Sequence, residues 1–271
     1  MNLNDRLPYG LLLLGCGNMG SAMLQGWLDQ GLSAGSVWVI DPQPSEWVRS
    51  TGVHINVELP SKISVALLAV KPQVIKEALP RLSALAHSET IFLSIVAGVS
   101  ISTYESILGS ASIIVRAMPN TPAAIAQGIT ALIGNSTADD AALALSEILL
   151  NALGETVRLE RESQMDAVTG LSGSGPAYVF FLIDALAAAG RKQGLSEGMA
   201  MALAKATVAG AGALAKHSEQ TPEQLRINVT SPNGTTQAGL EVLMNENNGL
   251  VPLIKETVAC ATERSKELSN G

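Results

Sequence analysis

Four consecutive leucines, Leu11–Leu14, run straight into Gly15-Cys16-Gly17-Asn18-Met19-Gly20. The apolar run, Tyr9–Leu14 with its approach, reads as a buried strand. The stretch that follows, Asn18–Gln30, reads as a helix with Met19, Met23, Trp27 and Leu28 on one side. A G-x-G-x-x-G at a strand-to-helix turn has a definite physical use. Gly15 permits the tight turn, Gly17 lets a pyrophosphate approach the backbone, and Gly20 lets the helix lie close to the strand. The helix start then offers unpaired N–H groups and the positive end of its dipole to the anion. Gly15, Cys16, Gly17, Asn18, Met19 and Gly20 are therefore the first candidates for holding a dinucleotide.

The alternation continues through the first half. Val37–Ile40, Val65–Val70 and Ile91–Val96 are further apolar runs, with Ile113–Ala117 and Thr130–Ile133 as shorter ones. Runs apolar on both faces suit parallel strands covered by helices on both sides, the doubly wound α/β pattern. From about Glu162 onward no strand is expected. Gln164–Gly170, Pro176–Gln193, Ser196–Lys216, Thr235–Asn245 and Pro252–Leu268 read as helices, with starts at Ser196-Glu197 and Thr221-Pro222-Glu223. The small residues of Met199–Ala215 allow close helix approach, which suits a subunit interface. The expected organisation is a doubly wound α/β domain over 1–161 and an all-helical domain over 162–271, with the boundary near Arg161.

Composition removes other classes. Apolar residues make up 47% of the 271 and charged ones 15%, enough to bury a core. Mean hydropathy is +0.27, but a membrane span needs about 20 apolar residues. The best run, Ala177–Gly190, is shorter and holds Asp184. Asp5 and Arg6 argue against a signal peptide, so a cytoplasmic location without a membrane partner is expected. The net charge of −7 and only nine aromatic residues speak against nucleic acid. Cys16 and Cys260 form no disulfide framework, and His54, His87 and His217 lack metal-ligand spacing. No metal is expected.

Asp41 closes the second strand about 20 residues after Gly20, where a carboxylate accepts from the ribose 2′-OH and repels a 2′-phosphate. That favours NAD over NADP. The alternative is an Asp that merely caps the Asp41-Pro42-Gln43-Pro44 loop. The nearest arginine downstream is Arg49.

Further segments join the glycine loop: AVKPQ (Ala69–Gln73), RAMPNTP (Arg116–Pro122), GLSGSGPAY (Gly170–Tyr178) and VTSPNGTTQAGL (Val229–Leu240). In this order and spacing they resemble the pyrroline-5-carboxylate reductase family, from Leu11 to about Leu268. The resemblance implies hydride transfer from NADPH or NADH, not covalently bound, to the C=N bond of 1-pyrroline-5-carboxylate. The product would be L-proline, in the last step of proline biosynthesis. It also implies an N-terminal Rossmann domain over 1–161, a helical substrate-binding and dimerisation domain over 162–271, and a homodimer assembling into a larger ring such as a decamer. Two departures stand out. Asn233 occupies the place of the first of two family glycines, although Asn tolerates left-handed backbone better than most residues. Asp41 sits in a family that is largely NADPH-preferring.

The Ser231–Thr236 turn opens a helix, so its free N–H groups suit a carboxylate. The dipole alone contributes about 0.3–2 kcal/mol, so hydroxyls must add to it. Ser231, Gly234 and Thr235 are substrate candidates. The resemblance puts Thr236 beside the imine nitrogen, where its hydroxyl orients rather than supplies a proton. It also assigns Glu219 to the substrate and Asn228 to the cofactor. Ala69, Val70, Lys71 and Pro72 would line the cofactor, with Lys71 either a phosphate partner or a solvated end. Ala97-Gly98 allows close backbone approach, and Asn120 and Thr121 either bond the carboxamide or stiffen a turn. Ser172 and Ser174 either reach the site or cap a helix.

Two rivals are weighed. A β-hydroxyacid dehydrogenase needs a lysine base on the first helix of its second domain; Pro176–Gly190 has none, and Lys192 is expected past its end. A nucleotide-sensing protein would not need the Ser231–Thr236 turn.

Overall fold

The computed structural model describes residues 2–86 and 89–269, so His87 lies outside the described residues. The strands are β1 (Leu11–Leu14), β2 (Val37–Ile40), β3 (His54–Ile55), β4 (Val65–Leu68), β5 (Ile91–Ser94), β6 (Ile113–Met118), β7 (Gly128–Gly134) and β8 (Gly154–Arg158). The helices are α1 (Leu3–Arg6), α2 (Asn18–Asp29), α3 (Glu46–Ser50), α4 (Pro72–Ala78), α5 (Ile101–Leu108), α6 (Asp140–Leu150), α7 (Met165–Val168), α8 (Gly175–Lys192), α9 (Glu197–His217), α10 (Pro222–Asn228), α11 (Thr235–Leu243) and α12 (Leu250–Ser269). The chain divides into two compact units, 1–173 with 262–271, and 174–261.

The first unit is one sheet in the order β3-β2-β1-β4-β5-β6-β7-β8. Every pairing is parallel except β6 with β7. The runs of aliphatic residues become the centre, because strands covered on both faces can be apolar throughout. All of β1, β4 and β5 is buried. Leu11 and Leu13 join one core layer with Met23 and Trp27; Leu12 and Leu14 join the other with Phe92 and Tyr104. The Trp27 indole N–H donates to Leu149 O at 2.8 Å, pinning α2 to the end of α6.

Several expected boundaries are corrected. Gly10 has φ 73 and Tyr9 is exposed, so the first strand begins at Leu11. The third and fourth runs stop at Leu68 and Ser94, where the chain leaves the sheet after the bonds Ala69 N–H to Leu14 O and Ile95 N–H to Leu68 O. β7 is longer than Thr130–Ile133. Strands β3 and β8 are additions at the two edges.

Residues 162–173 pack with the sheet unit. Glu162 Oε1 accepts from Arg116 Nη1 at 2.7 Å and from the Ile101 N–H at 2.8 Å. Thr169–Gly173 forms a π-helical turn. A Cβ on Gly173 would lie 2.7 Å from Met118 Cε, the tip of the side chain that ends β6, so this turn packs against that methionine.

In the second unit, α8 and α9 meet through small residues: Ala187, Ala200 and Ala204 are buried, and a Cβ on Gly190 would come to 3.3 Å of Ala200 Cβ. Ser196 Oγ and Thr221 Oγ1 cap α9 and α10 at the expected starts. Helix α8 ends at Lys192, so this lysine lies in its last turn and not past its end. Phe180, Phe181, Leu203 and Val242 stand exposed. The helical stretch 162–192 and α9 are both long and apolar enough to cross a membrane by length and composition alone. The length argument drawn from Ala177–Gly190 does not apply to the folded helices.

Candidate active site

In the first unit the site begins at the carboxyl ends of the paired strands β1 and β4, where the strand order reverses, the switch point of the sheet. Gly15 has φ 90, and a Cβ there would lie 2.9 Å from Ala69 C and O; a Cβ on Gly20 would lie 2.8 Å from Gly15 O. Both positions admit only glycine. Gly17 is different: a Cβ there meets nothing within 4 Å. Among the described residues, the N–H groups of Gly17, Asn18, Met19 and Gly20 have no acceptor. Open space over Gly17, ringed by unspent donors at the start of α2, is the cradle a pyrophosphate requires. The residues present fit a dinucleotide.

The Cys16 N–H is spent otherwise, on Asp41 Oδ2 at 2.7 Å. The other oxygen, Oδ1, accepts the Gln43 N–H at 2.7 Å. Asp41 thus does cap its loop, and it also ties the end of β2 to the glycine turn. Asn56, which sequence reasoning did not single out, clamps this corner. At φ 52 its amide takes the Asp41 N–H at 3.0 Å and gives an N–H to Asp41 O at 2.7 Å. An Asn just past a short edge strand was the available signal. The Cys16 thiol is buried, and burial pushes its pKa up; Ser21 Oγ donates to Cys16 O at 2.8 Å.

Ala69 and Val70 are half-buried after β4, and Lys71 is an exposed N-cap followed by Pro72 in the first turn of α4. Ala97 is exposed and Gly98 has φ 73. Behind this loop, Ser94 Oγ accepts the Val96 N–H at 3.2 Å and pairs with Tyr104 OH at 2.5 Å. Burial pushes the Tyr104 phenol up to about 12. The Asn120 amide donates to Ser172 Oγ at 3.3 Å and accepts the Ile129 N–H at 3.0 Å, so it holds its own loop. Thr121 opens a 3-10 turn there, and Ser174 precedes α8.

The second unit carries the other candidate turn. Asn233 has φ 58, and the Gly234 N–H donates to Ser231 O at 3.0 Å. The turn forms with Asn in the left-handed position. A Cβ on Gly234 would collide with Ser231 Oγ. Gly234 is the N-cap of α11, and among the described residues the N–H groups of Thr235, Thr236 and Gln237 have no acceptor. The hydroxyls of Ser231, Thr235 and Thr236 stand at this exposed start. Glu219 is exposed between α9 and α10. The Asn228 amide bonds Gln224 at 2.8 Å and Gln220 at 2.9 Å. Gln237, also not foreseen, accepts the Asn233 N–H at 2.8 Å.

A doubly wound sheet with a built pyrophosphate cradle, followed by helices bearing a second anion-ready turn, defines an NAD(P)H-dependent oxidoreductase of the Rossmann class. Residues 162–268 match the family described as pyrroline-5-carboxylate reductase dimerisation, and residues 10–98 match NADP oxidoreductase, coenzyme F420-dependent. The chain belongs to the pyrroline-5-carboxylate reductase family. It is 37% identical over 265 residues to the enzyme of that name from Pseudomonas aeruginosa, covering 96% of each chain. It is 44% identical over 213 residues to the one from Synechocystis, covering 79% and 78%. The solved pyrroline-5-carboxylate reductase of Coxiella burnetii superposes with TM-score 0.90 at 34% identity, covering 96% of this chain and 98% of that one. The Plasmodium falciparum enzyme with NADP bound gives 0.81 at 29%, with the same coverage. The exposed apolar residues on α8, α9 and α11 lie within the dimerisation match, and the protein is an oligomer acting on a small molecule.

Proposed function

We propose that the two helix starts, α2 in the first unit and α11 in the second, hold the two reactants of one reduction. The reaction is NAD(P)H-dependent reduction of the C=N bond of 1-pyrroline-5-carboxylate to L-proline. The nicotinamide, when bound, supplies the hydride. The protein's own part is to hold both anions, align the reactants and keep water away.

The N–H groups of Gly17, Asn18, Met19 and Gly20 hold the pyrophosphate. The Asp41 carboxylate faces the ribose hydroxyls and biases the enzyme toward NADH. The Ala69–Pro72 and Ala97-Gly98 loops line the cofactor, with Asn120 and Asn228 beside it. Ser231, Gly234 and the N–H groups of Thr235 and Thr236 hold the substrate carboxylate, and Glu219 stands next to the ring. The Thr236 hydroxyl orients the imine nitrogen. A protonated imine is already electrophilic, so no general base is needed. Lys192, at the far end of α8 from Gly175, accordingly has no catalytic duty. The observation that carries this reading is the row of N–H groups at the start of α11 with no acceptor among the described residues.

We place the functional division at 161/162, assemble dimers through the helical half into a ring such as a decamer, and locate the enzyme in the cytoplasm. Addition of 1-pyrroline-5-carboxylate should oxidise NADH or NADPH with matching formation of L-proline. Cofactor binding without turnover would instead favour a nucleotide sensor.

A further inference from the structure

The turn before α11 contains a residue whose side chain does not favour its backbone. Asn233 lies at φ 58, where residues other than glycine are disfavoured, Asn less than most. Something must hold it there. The Asn233 N–H donates to Gln237 Oε1 at 2.8 Å. Gln237 Nε2 donates in turn to Glu241 Oε1 at 3.2 Å, one helical turn on. That second bond fixes which end of the amide faces Asn233.

Gln237 is the third residue of α11 and is half-buried. In a capping box the third helical residue reaches back to the N-cap backbone. Here it reaches one residue further, to the residue before Gly234. The brace leaves the N–H groups of Thr235 and Thr236 without an acceptor among the described residues. We propose that Gln237 is a positioning residue for substrate binding: its amide oxygen holds Asn233 in the left-handed conformation, so that the Thr235 and Thr236 N–H groups stay aimed at the substrate carboxylate. This rests on the assignment of the Ser231–Thr236 turn to the substrate. Gln237 itself touches no reactant.

The test is a double-mutant cycle in the full-length enzyme with Gln237→Ala, Asn233→Gly and both together. Ser231→Ala and Thr236→Ala serve as controls on the turn. Three quantities are measured: the L-proline dissociation constant by calorimetry, the KM for the imine, and the NADH dissociation constant. Gln237→Ala should weaken L-proline binding and raise KM by about three- to tenfold, the value of one hydrogen bond, with NADH binding unchanged. With the Asn233→Gly change already made, the same substitution should cost less than about twofold, because glycine adopts the turn unaided. Unchanged L-proline binding and KM in Gln237→Ala would overturn the proposal. So would an equal loss in both backgrounds, which would mark a bond unrelated to the left-handed turn. If the two controls weaken L-proline binding and Gln237→Ala does not, only this inference fails. If none of them does, the turn is not the substrate site and both fall.

Discussion

The Asp41 carboxylate takes the Cys16 N–H at 2.7 Å, so the residue that would meet the ribose is wired to the turn that would meet the pyrophosphate. One contact thus couples the end of β2 to the glycine turn. Asn56 adds a reciprocal pair of bonds to the Asp41 main chain, while the Cys16 and Gln43 N–H groups hold the two carboxylate oxygens.

Asp41→Ser should therefore shift cofactor choice. A serine keeps a hydrogen-bonding group but removes the charge that repels a 2′-phosphate. The ratio of kcat/KM for NADPH over NADH should rise by about tenfold, the scale of one charge-assisted contact. Paired steady-state kinetics with the two cofactors check this; an unchanged ratio removes Asp41 from the ribose site.

Gly17→Ala separates binding from stability. The added methyl meets nothing within 4 Å among the described residues, so the melting temperature should stay within a few degrees of wild type. The same methyl occupies the space over the cradle, and NADH affinity should fall about tenfold or more. Gly20→Ala provides the contrast, since its methyl lies 2.8 Å from Gly15 O and should cost stability as well. Calorimetric titration and thermal melts on both variants measure the two effects.

The legibility of the sequence tracks burial and locality. β1, β2, β4 and β5 were readable because each is a short, mainly apolar run, and β1, β4 and β5 are buried throughout. β3 (His-Ile) and β8 (Gly154–Arg158) escaped notice because edge strands face water and carry polar residues such as Glu155 and Arg158. The glycine turn was readable because its spacing is local. The partners of the site residues were not: Asn56 and Gln237 act through φ values and side-chain directions that no pattern of residue types encodes. Likewise Asn120 and Asn228 look like free amides in sequence, yet the fold engages both of them.

Thr130 offers a stabilising change. It lies fully buried in β7, and its Oγ1 has no partner among the described residues. Thr130→Val keeps the shape and removes the stranded hydroxyl, so the protein should gain about 1 kcal/mol. Denaturant unfolding at constant slope would show it; a loss of stability would mean the hydroxyl is hydrogen-bonded after all.

Tyr104 gives a pH signature. Its phenol is pushed from 10.0 up to about 12 in the folded protein, first by burial. Between those values the unfolded chain gives up a proton that the folded chain keeps. The stabilising effect is complete below the unfolded value and is lost as pH rises through the folded one. Stability should therefore fall with rising pH in that window, and Tyr104→Phe should flatten the slope. Identical slopes in denaturant titrations of the two proteins would contradict the assignment.

The most direct measurement is NADH oxidation on adding 1-pyrroline-5-carboxylate, run on wild type and Thr236→Ala with cofactor affinity determined for each. The expected result is L-proline formed in step with NADH consumed. In Thr236→Ala, kcat should fall about tenfold or more for a lost orienting contact, with NADH affinity nearly unchanged. Intact cofactor binding without any turnover in wild type would contradict the reductase assignment, and loss of cofactor binding in Thr236→Ala would contradict the role given to the threonine.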